Sequence, residues 1–196
     1  MIIISDNFLE EGVSSKIQDV LNKNNKSLFW EEFESTNNVE KYPTLNDLNL
    51  NIIEERQDVH MGYFFGNGFS SVHELGSNIL ESFALQNNID VFKLLRVKSN
   101  ILYKTNKENS IHPPHVDTDM EHLVLLYYVN DSDGDTIIFN EKFDGSSIPD
   151  LTVKQMVSPK MGRAVLFDGL YYHSSSGPKI SDNRVVININ FLGKVK

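Results

Sequence analysis

From residue 94 onward the chain is a succession of short β-rich segments, and this texture limits the possible folds more than any other feature. LLRVKSNILY (94–103), HLVLLYYV (122–129), DTIIF (135–139), LTVKQMV (151–157), RAVLF (163–167) and RVVININFL (184–192) are each bounded by turn-forming residues. NDSDGD at 130–135 and FDGSS at 143–147 carry the Asp, Asn, Ser and Gly of tight turns. The first half reads differently. A short strand at 2–4 precedes Val13, Ile17, Val20 and Leu21, whose spacing predicts an amphipathic helix over 9–22, with its N-cap among Ser5, Asp6 and Asn7. A second helix is predicted from Ser71 to Gln86, with Val72, Leu75, Ile79, Leu80 and Phe83 on one side. Residues 23–60 are polar and irregular, with Trp30 and Phe33 as expected anchors to the core, and GYFFGNGFSS (62–71) reads as a loop. Strands at this spacing after a helical first half predict an α+β, mainly β chain, a jelly roll or sandwich with N-terminal helices packed outside. We read residues 1–196 as a single domain, with a strand, helices and loops over 1–90 and the β core over 91–196.

Composition removes several classes of chemistry. There is no cysteine, so disulfides, thiolate metal sites and cysteine nucleophiles are excluded, and His, Asp and Glu are left as metal ligands. A net charge of −9 with scattered Lys and Arg argues against a grip on nucleic-acid phosphates. No segment resembles a membrane span, and the apolar run that opens MIIIS is too short for a signal-peptide core, so a cytoplasmic setting without membrane partners is expected.

IHPPHVDT (111–118) places two histidines and an aspartate within six positions. In a chain with six histidines, a His-x-Asp triplet alone is a weak signal. Its position strengthens it. His115 and Asp117 precede the strand 122–129, and period-2 geometry puts both on one face, where imidazole and carboxylate can take adjacent corners of a coordination sphere. His112 is an odd number of residues away, beyond two prolines, and reads as a loop histidine facing elsewhere. A third candidate, His173, follows RAVLF and the aromatic turn DGLYY. Two imidazoles and one carboxylate on one side of an octahedral metal leave three positions open, the arrangement of non-haem Fe(II) oxygenases.

RVVININFL adds a cation. Arg184 opens this strand, and Val186, Asn188 and Asn190 share its face, which is polar for a core strand. A buried arginine requires an anion, and its planar fork binds carboxylate bidentately. The alternative, an arginine at the strand edge pairing with Asp182, stays open on these grounds.

Taken in chain order, HVD, YYH and NRVVININF resemble the Fe(II)- and 2-oxoglutarate-dependent oxygenases, in particular the prolyl 4-hydroxylase-like branch. LLYYVND with GDTIIF resembles that family's strand and G-x-T-x-F turn, and PKMGRAVLFDG its approach to the distal histidine. RVKSNILYKT and the short length are most similar to small bacteriophage-encoded members. The resemblance covers 94–192 and extends to IIISDNFLEE; residues 23–70 match nothing in it. It implies a double-stranded β-helix (jelly-roll, cupin-like) core. Residue by residue, it implies Fe(II) on His115, Asp117 and His173, and the distal carboxylate of 2-oxoglutarate on Arg184. Tyr128, in the matching YY pair, is the first candidate for a tyrosine on that carboxylate, and Tyr103 the second, as a pocket wall. Both read equally as core aromatics. Asn188 and Asn190 would line the pocket.

The activity implied is hydroxylation of an unactivated C–H bond using O2, with release of succinate and CO2 and with ascorbate as an accessory reductant. The substrate would be a peptide or protein, such as a prolyl residue, or a small molecule. GYFFGNGF and the 140–150 segment read as lids or as plain connectors. Three alternatives remain on sequence grounds. A nucleic-acid demethylase of the superfamily is opposed by the final strand, which lacks the Arg-x-Asn-x-Thr-x-Arg pattern, and by the acidic charge. A cupin-type enzyme without 2-oxoglutarate gives Arg184 no reason to face the pocket. A non-catalytic binding domain has no need of all four residues.

Overall fold

Alternation of side chains along the strands organises this molecule, seen in a computed structural model that describes residues 1–21, 71–106, 110–145 and 150–196, with strand segments 31–32, 51–52 and 60–64. In chain order the elements are β1 (Ile2–Ser5), α1 (Glu11–Leu21), β2 (Glu31–Glu32), β3 (Asn51–Ile52), β4 (His60–Phe64), α2 (Ser71–Gln86) and β5 (Ile89–Tyr103). They continue with β6 (Ser110–Ile111), β7 (Leu123–Tyr128), β8 (Thr136–Lys142), β9 (Val153–Val157), β10 (Ala164–Asp168), β11 (Tyr171–Ser175) and β12 (Asn183–Val195). The larger sheet runs β1-β10-β7-β12-β5-β4-β2, the smaller β11-β8-β9, and β3 pairs with β6. Neighbours in the two larger sheets are antiparallel.

The centre of the larger sheet has apolar side chains on both faces, as a sheet covered on two sides requires. On β7, Leu125 and Tyr127 pack with Ile17 and Leu21 of α1 and Ile79 and Phe83 of α2. The intervening Val124, Leu126 and Tyr128 pack with Ile138, Val157 and Tyr171 of the smaller sheet. The helices therefore lie outside and the second core lies between the sheets. β12 pairs with β5 along its whole length, from Asn183 opposite Tyr103 to Val195 opposite Ile89. In this register Asn190, Asn188 and Val186 stand beside Arg96, Lys98 and Asn100. The odd-numbered Val185, Ile187 and Ile189 of β12, with Val97 and Ile101 of β5, belong to the helix side. Arg96, Lys98 and Asn100 of β5 and Arg184, Val186, Asn188 and Asn190 of β12 thus form one wall of the inter-sheet space.

Helix packing has two local causes. Gly76 of α2 sits so close to β5 that a Cβ there would lie 2.5 Å from Val97 Cγ1. The helix stops at Asn88, which takes the left-handed conformation (φ 53°) that caps helix ends. In α1 the expected stripe is corrected: Ile17 and Leu21 are buried, but Val13 and Val20 are 40% and 37% exposed. Ser14 turns inward instead, and its hydroxyl accepts a 3.1 Å hydrogen bond from the Tyr127 phenol. A buried phenol needs that partner, which draws a polar residue into the helix face.

GYFFGNGFSS is also corrected. Its first three residues belong to β4, which pairs with β5 from His60 opposite Leu102 to Phe64 opposite Lys98. Backbone pairing to a long exposed edge outweighs the glycine punctuation. Likewise Asn140, Glu141 and Lys142 extend β8 and are not loop. Trp30, Phe33 and residues 65–70 lie outside the described residues. No helix among the described residues is long and apolar enough to cross a membrane.

Candidate metal centre

The segment after β6 reaches across to β11, and the two are joined by backbone. His115 N–H donates to His173 O at 3.0 Å, and His173 N–H donates to His115 O at 2.9 Å. This isolated antiparallel bridge sets the two imidazoles side by side, with ring centroids 4.8 Å apart. Asp117 completes the group: one ligand atom from each of His115, Asp117 and His173 lies within 4.8 Å of the others.

Each side chain is oriented by specific neighbours. His115 Nδ1 lies 3.0 Å from Pro113 O and His173 Nδ1 lies 3.1 Å from Tyr171 O. A carbonyl only accepts, so both Nδ1 atoms carry the proton and both Nε2 atoms keep a lone pair for a metal. His173 also meets the edge of Phe167, at 5.1 Å between centroids. Asp117 Oδ2 lies 3.9 Å from His173 Nε2 and accepts hydrogen bonds from Asn188 Nδ2 at 2.9 Å and Asn190 Nδ2 at 2.8 Å. Asp117 Oδ1 accepts from Arg96 Nη2 at 2.5 Å, and Arg96 Nε donates to Asn190 Oδ1 at 3.2 Å.

Charge follows from these contacts. Burial pushes His173 down to about 4, reinforced by neighbouring His115 and opposed by Asp117, so the ring is neutral at pH 7. Burial would raise the Asp117 carboxyl, but His173, Arg96, His115 and Asn190 outweigh it and hold the carboxyl well below the usual range. Of these neighbours, the Arg96 guanidinium is the one in direct ion-pair contact with the Asp117 carboxylate. Two imidazoles and one carboxylate, preset and close together, fit a divalent first-row metal such as Fe(II).

Arg184 lies further along the same wall of β12, 3% exposed. Its Nε donates to Gly134 O at 2.8 Å and its Nη2 to Thr136 Oγ1 at 2.7 Å. Tyr128 OH donates to the same Oγ1 at 2.7 Å, with its ring 5.7 Å from the Arg184 guanidinium carbon. Burial lowers the Arg184 pKa, while Tyr128 and Asp135 oppose this. Among the described residues no carboxylate forms an ion pair with Arg184, including Asp182. A buried guanidinium with donors to spare fits an incoming carboxylate.

The predicted site residues are thus placed unevenly. His115, Asp117 and His173 come together, Asn188 and Asn190 brace Asp117, and Tyr128 joins Arg184 through Thr136. Tyr103 packs against the helix-side core, on the face of β5 opposite Arg96 and Lys98. His112 is buried, with Nδ1 2.9 Å from Ser175 O, and ties the approach segment to β11. Sequence reasoning missed Arg96, Lys98 and Thr136. The signal for the first two was present, because Arg96, Lys98 and Asn100 alternate with Val97 and Ile101 as the polar residues of β12 alternate with its aliphatics. Lys98 is buried, and burial followed by the nearby Arg96 charge brings its ammonium down to about 8.

Comparison of the sequence with protein-family models and with curated proteins gives no match. Comparison of the fold gives many. A prolyl hydroxylase from Trichoplax adhaerens, in complex with an oxygen-degradation-domain peptide of hypoxia inducible factor, superposes with TM-score 0.62 at 12% identity, over 97% of this chain and 83% of that one. The fold is the 2-oxoglutarate/Fe(II) oxygenase jelly roll. The α-ketoglutarate-dependent carbocyclase SnoK of nogalamycin biosynthesis matches at TM-score 0.62 and 10% identity, over 100% and 81% of the two chains. HygX from Streptomyces hygroscopicus, solved with nickel and 2-oxoglutarate bound, matches at TM-score 0.57 and 12% identity, over 97% and 82%.

Proposed function

We propose that this protein is an Fe(II)- and 2-oxoglutarate-dependent dioxygenase that hydroxylates an unactivated C–H bond. The observation that carries the reading is the shared wall: the His115–Asp117–His173 group and the buried Arg184, which has no acidic partner among the described residues, face the same inter-sheet space. His115, Asp117 and His173 would hold the iron, and Arg184 the distal carboxylate of 2-oxoglutarate. Tyr128 supports that arginine through Thr136, so its part is to fix the guanidinium. When bound, the iron and 2-oxoglutarate supply oxygen activation: O2 is consumed, the cosubstrate leaves as succinate and CO2, and one oxygen atom is inserted into the substrate C–H bond.

The chain's own residues supply position and shielding. Pro113 O and Tyr171 O fix the imidazole tautomers, while Asn188 and Asn190 fix the carboxylate. Phe167, Val186 and Leu126 exclude water from the inter-sheet side. No separate acid or base is required. A peptidyl side chain, as in the Trichoplax complex, is the first substrate class to test, and small molecules of natural-product type are the second.

The test is spectroscopic. Anaerobic Fe(II) plus 2-oxoglutarate should give the wild type a weak visible charge-transfer absorption that Asp117→Ala and His115→Ala lose while keeping their circular dichroism. A folded wild type without this absorption would sink the reading. Succinate release screened against peptides and metabolites then identifies the substrate.

A further inference from the structure

The two oxygens of Asp117 are treated differently by the protein, and the difference bears on how many positions a metal has left. Oδ2 faces His173 and is reached by two neutral amides, whereas Oδ1 points to Arg96 in a 2.5 Å ion pair. The guanidinium is held in turn. Its Nε donates to Asn190 Oδ1, and Asn190 donates back to Asp117 Oδ2, so arginine, amide and carboxylate close a ring of contacts. The Asp117 side chain is 6% exposed and that of Arg96 is 33% exposed, so the carboxylate end of the pair is shielded from water.

Carboxylates bind metals through one oxygen or two. An octahedral ion held by two imidazoles and one carboxylate oxygen keeps three positions open. Were Asp117 to chelate with both oxygens, two would remain, too few for a bidentate 2-oxoacid and dioxygen together. We propose that Arg96 is a positioning residue that confines Asp117 to one ligand oxygen and so keeps the third position of the metal open. The inference rests on the dioxygenase reading above. Of the two amides on Oδ2, Asn188 is the less constrained: its own Oδ1 is buried without a hydrogen-bond partner, whereas Asn190 is braced by Arg96.

The test compares Arg96→Met with Arg96→Lys. Mn(II) affinity without cosubstrate is measured by calorimetry, and 2-oxoglutarate is titrated into the Fe(II)-loaded protein anaerobically, following the charge-transfer absorption. Arg96→Met is expected to bind Mn(II) as tightly as wild type or more tightly, since a nearby cation is gone and a second oxygen is free. Its affinity for 2-oxoglutarate is expected to fall about tenfold or more, the usual scale for loss of a residue behind a ligand. Arg96→Lys, which returns a charged donor to Oδ1, should recover most of that loss.

Weaker metal binding with unchanged 2-oxoglutarate affinity would make Arg96 a simple organiser of the empty site and overturn the proposal. A lowered melting temperature with both affinities unchanged would make it a tie between β5 and β12, with the same consequence. A crystal structure of the wild type with Mn(II) decides even if Arg96→Met does not fold: both Asp117 oxygens on the metal would refute the proposal, and Oδ1 still on Arg96 supports it. Absence of the charge-transfer absorption from wild type would count against the dioxygenase reading itself, whereas a normal absorption in Arg96→Met counts only against the role of Arg96.

Discussion

Replacing Arg184 by leucine is expected to separate cosubstrate binding from metal binding. Of the five N–H donors on a guanidinium, Nε is engaged by Gly134 O and one Nη2 donor by Thr136 Oγ1. A carboxylate can take two of the remainder as a bidentate pair. Removing one partner of such a buried pair costs about 3–5 kcal/mol. Each 1.4 kcal/mol is tenfold in affinity, so 2-oxoglutarate should bind roughly 10²- to 4 × 10³-fold more weakly. The metal should be indifferent, because Arg184 is four residues along β12 from Asn188, about 13 Å of strand. Stability should change little. Gly134 O loses its side-chain donor, at about 1–3 kcal/mol, and Thr136 Oγ1 keeps the Tyr128 hydroxyl, while the desolvation of a buried cation, several kcal/mol, is also removed. Calorimetry with Mn(II) and anaerobic titration of the charge-transfer absorption give the two affinities. Equal losses of metal and 2-oxoglutarate would refute the reasoning and make the arginine structural; no loss of either would show that no carboxylate binds there.

Two further outcomes follow from the structure. His173 ionises at about 4 in the fold against an ordinary 6.5, so the unfolded chain takes up its proton first as pH falls. The metal-free protein should therefore have this contribution in full above about pH 6.5 and lose up to about 3 kcal/mol on the way down to pH 4. Urea denaturation across that range checks it, and an unchanged slope in His173→Gln would refute the assignment. Gly76→Ala puts a methyl group 2.5 Å from Val97 Cγ1 and should destabilise by about 1–2 kcal/mol despite the better helix propensity of alanine. Thermal melts of Gly76→Ala, Val97→Ala and the double variant should show the pair to be non-additive, because shortening Val97 makes room for the methyl.

How much of this was legible depended on whether a residue's pattern or its partner decided its place. β12 could be read directly, since a strand that alternates Arg184, Asn188 and Asn190 with aliphatics must aim its polar face at something polar. The same alternation in β5 is weaker because residues 94 and 95 are both leucine, which blurs the period just before Arg96. Tyr103 sits one position out of phase with Arg96 and Lys98, and parity alone places it on the helix side. Ser14 could not be found from α1, because the reason for its burial is a phenol 113 residues away. The edge pairing of β4 was hidden in the same way. Glycine and aromatic punctuation describes a segment's own preferences, not the open edge waiting for it.

The backbone bridge between His115 and His173 has a consequence beyond aligning two rings. β11 is an outer strand of the smaller sheet, and the segment bearing His112 and His115 lies against its unpaired side as a makeshift neighbour, through His112 N–H to Ser175 O and the paired bonds at 115 and 173. Fraying of that border would pull both imidazoles out of place in one motion. A divalent ion seated on His115 and His173 would act as a clasp on that seam, so metal binding should also stabilise the border of the smaller sheet.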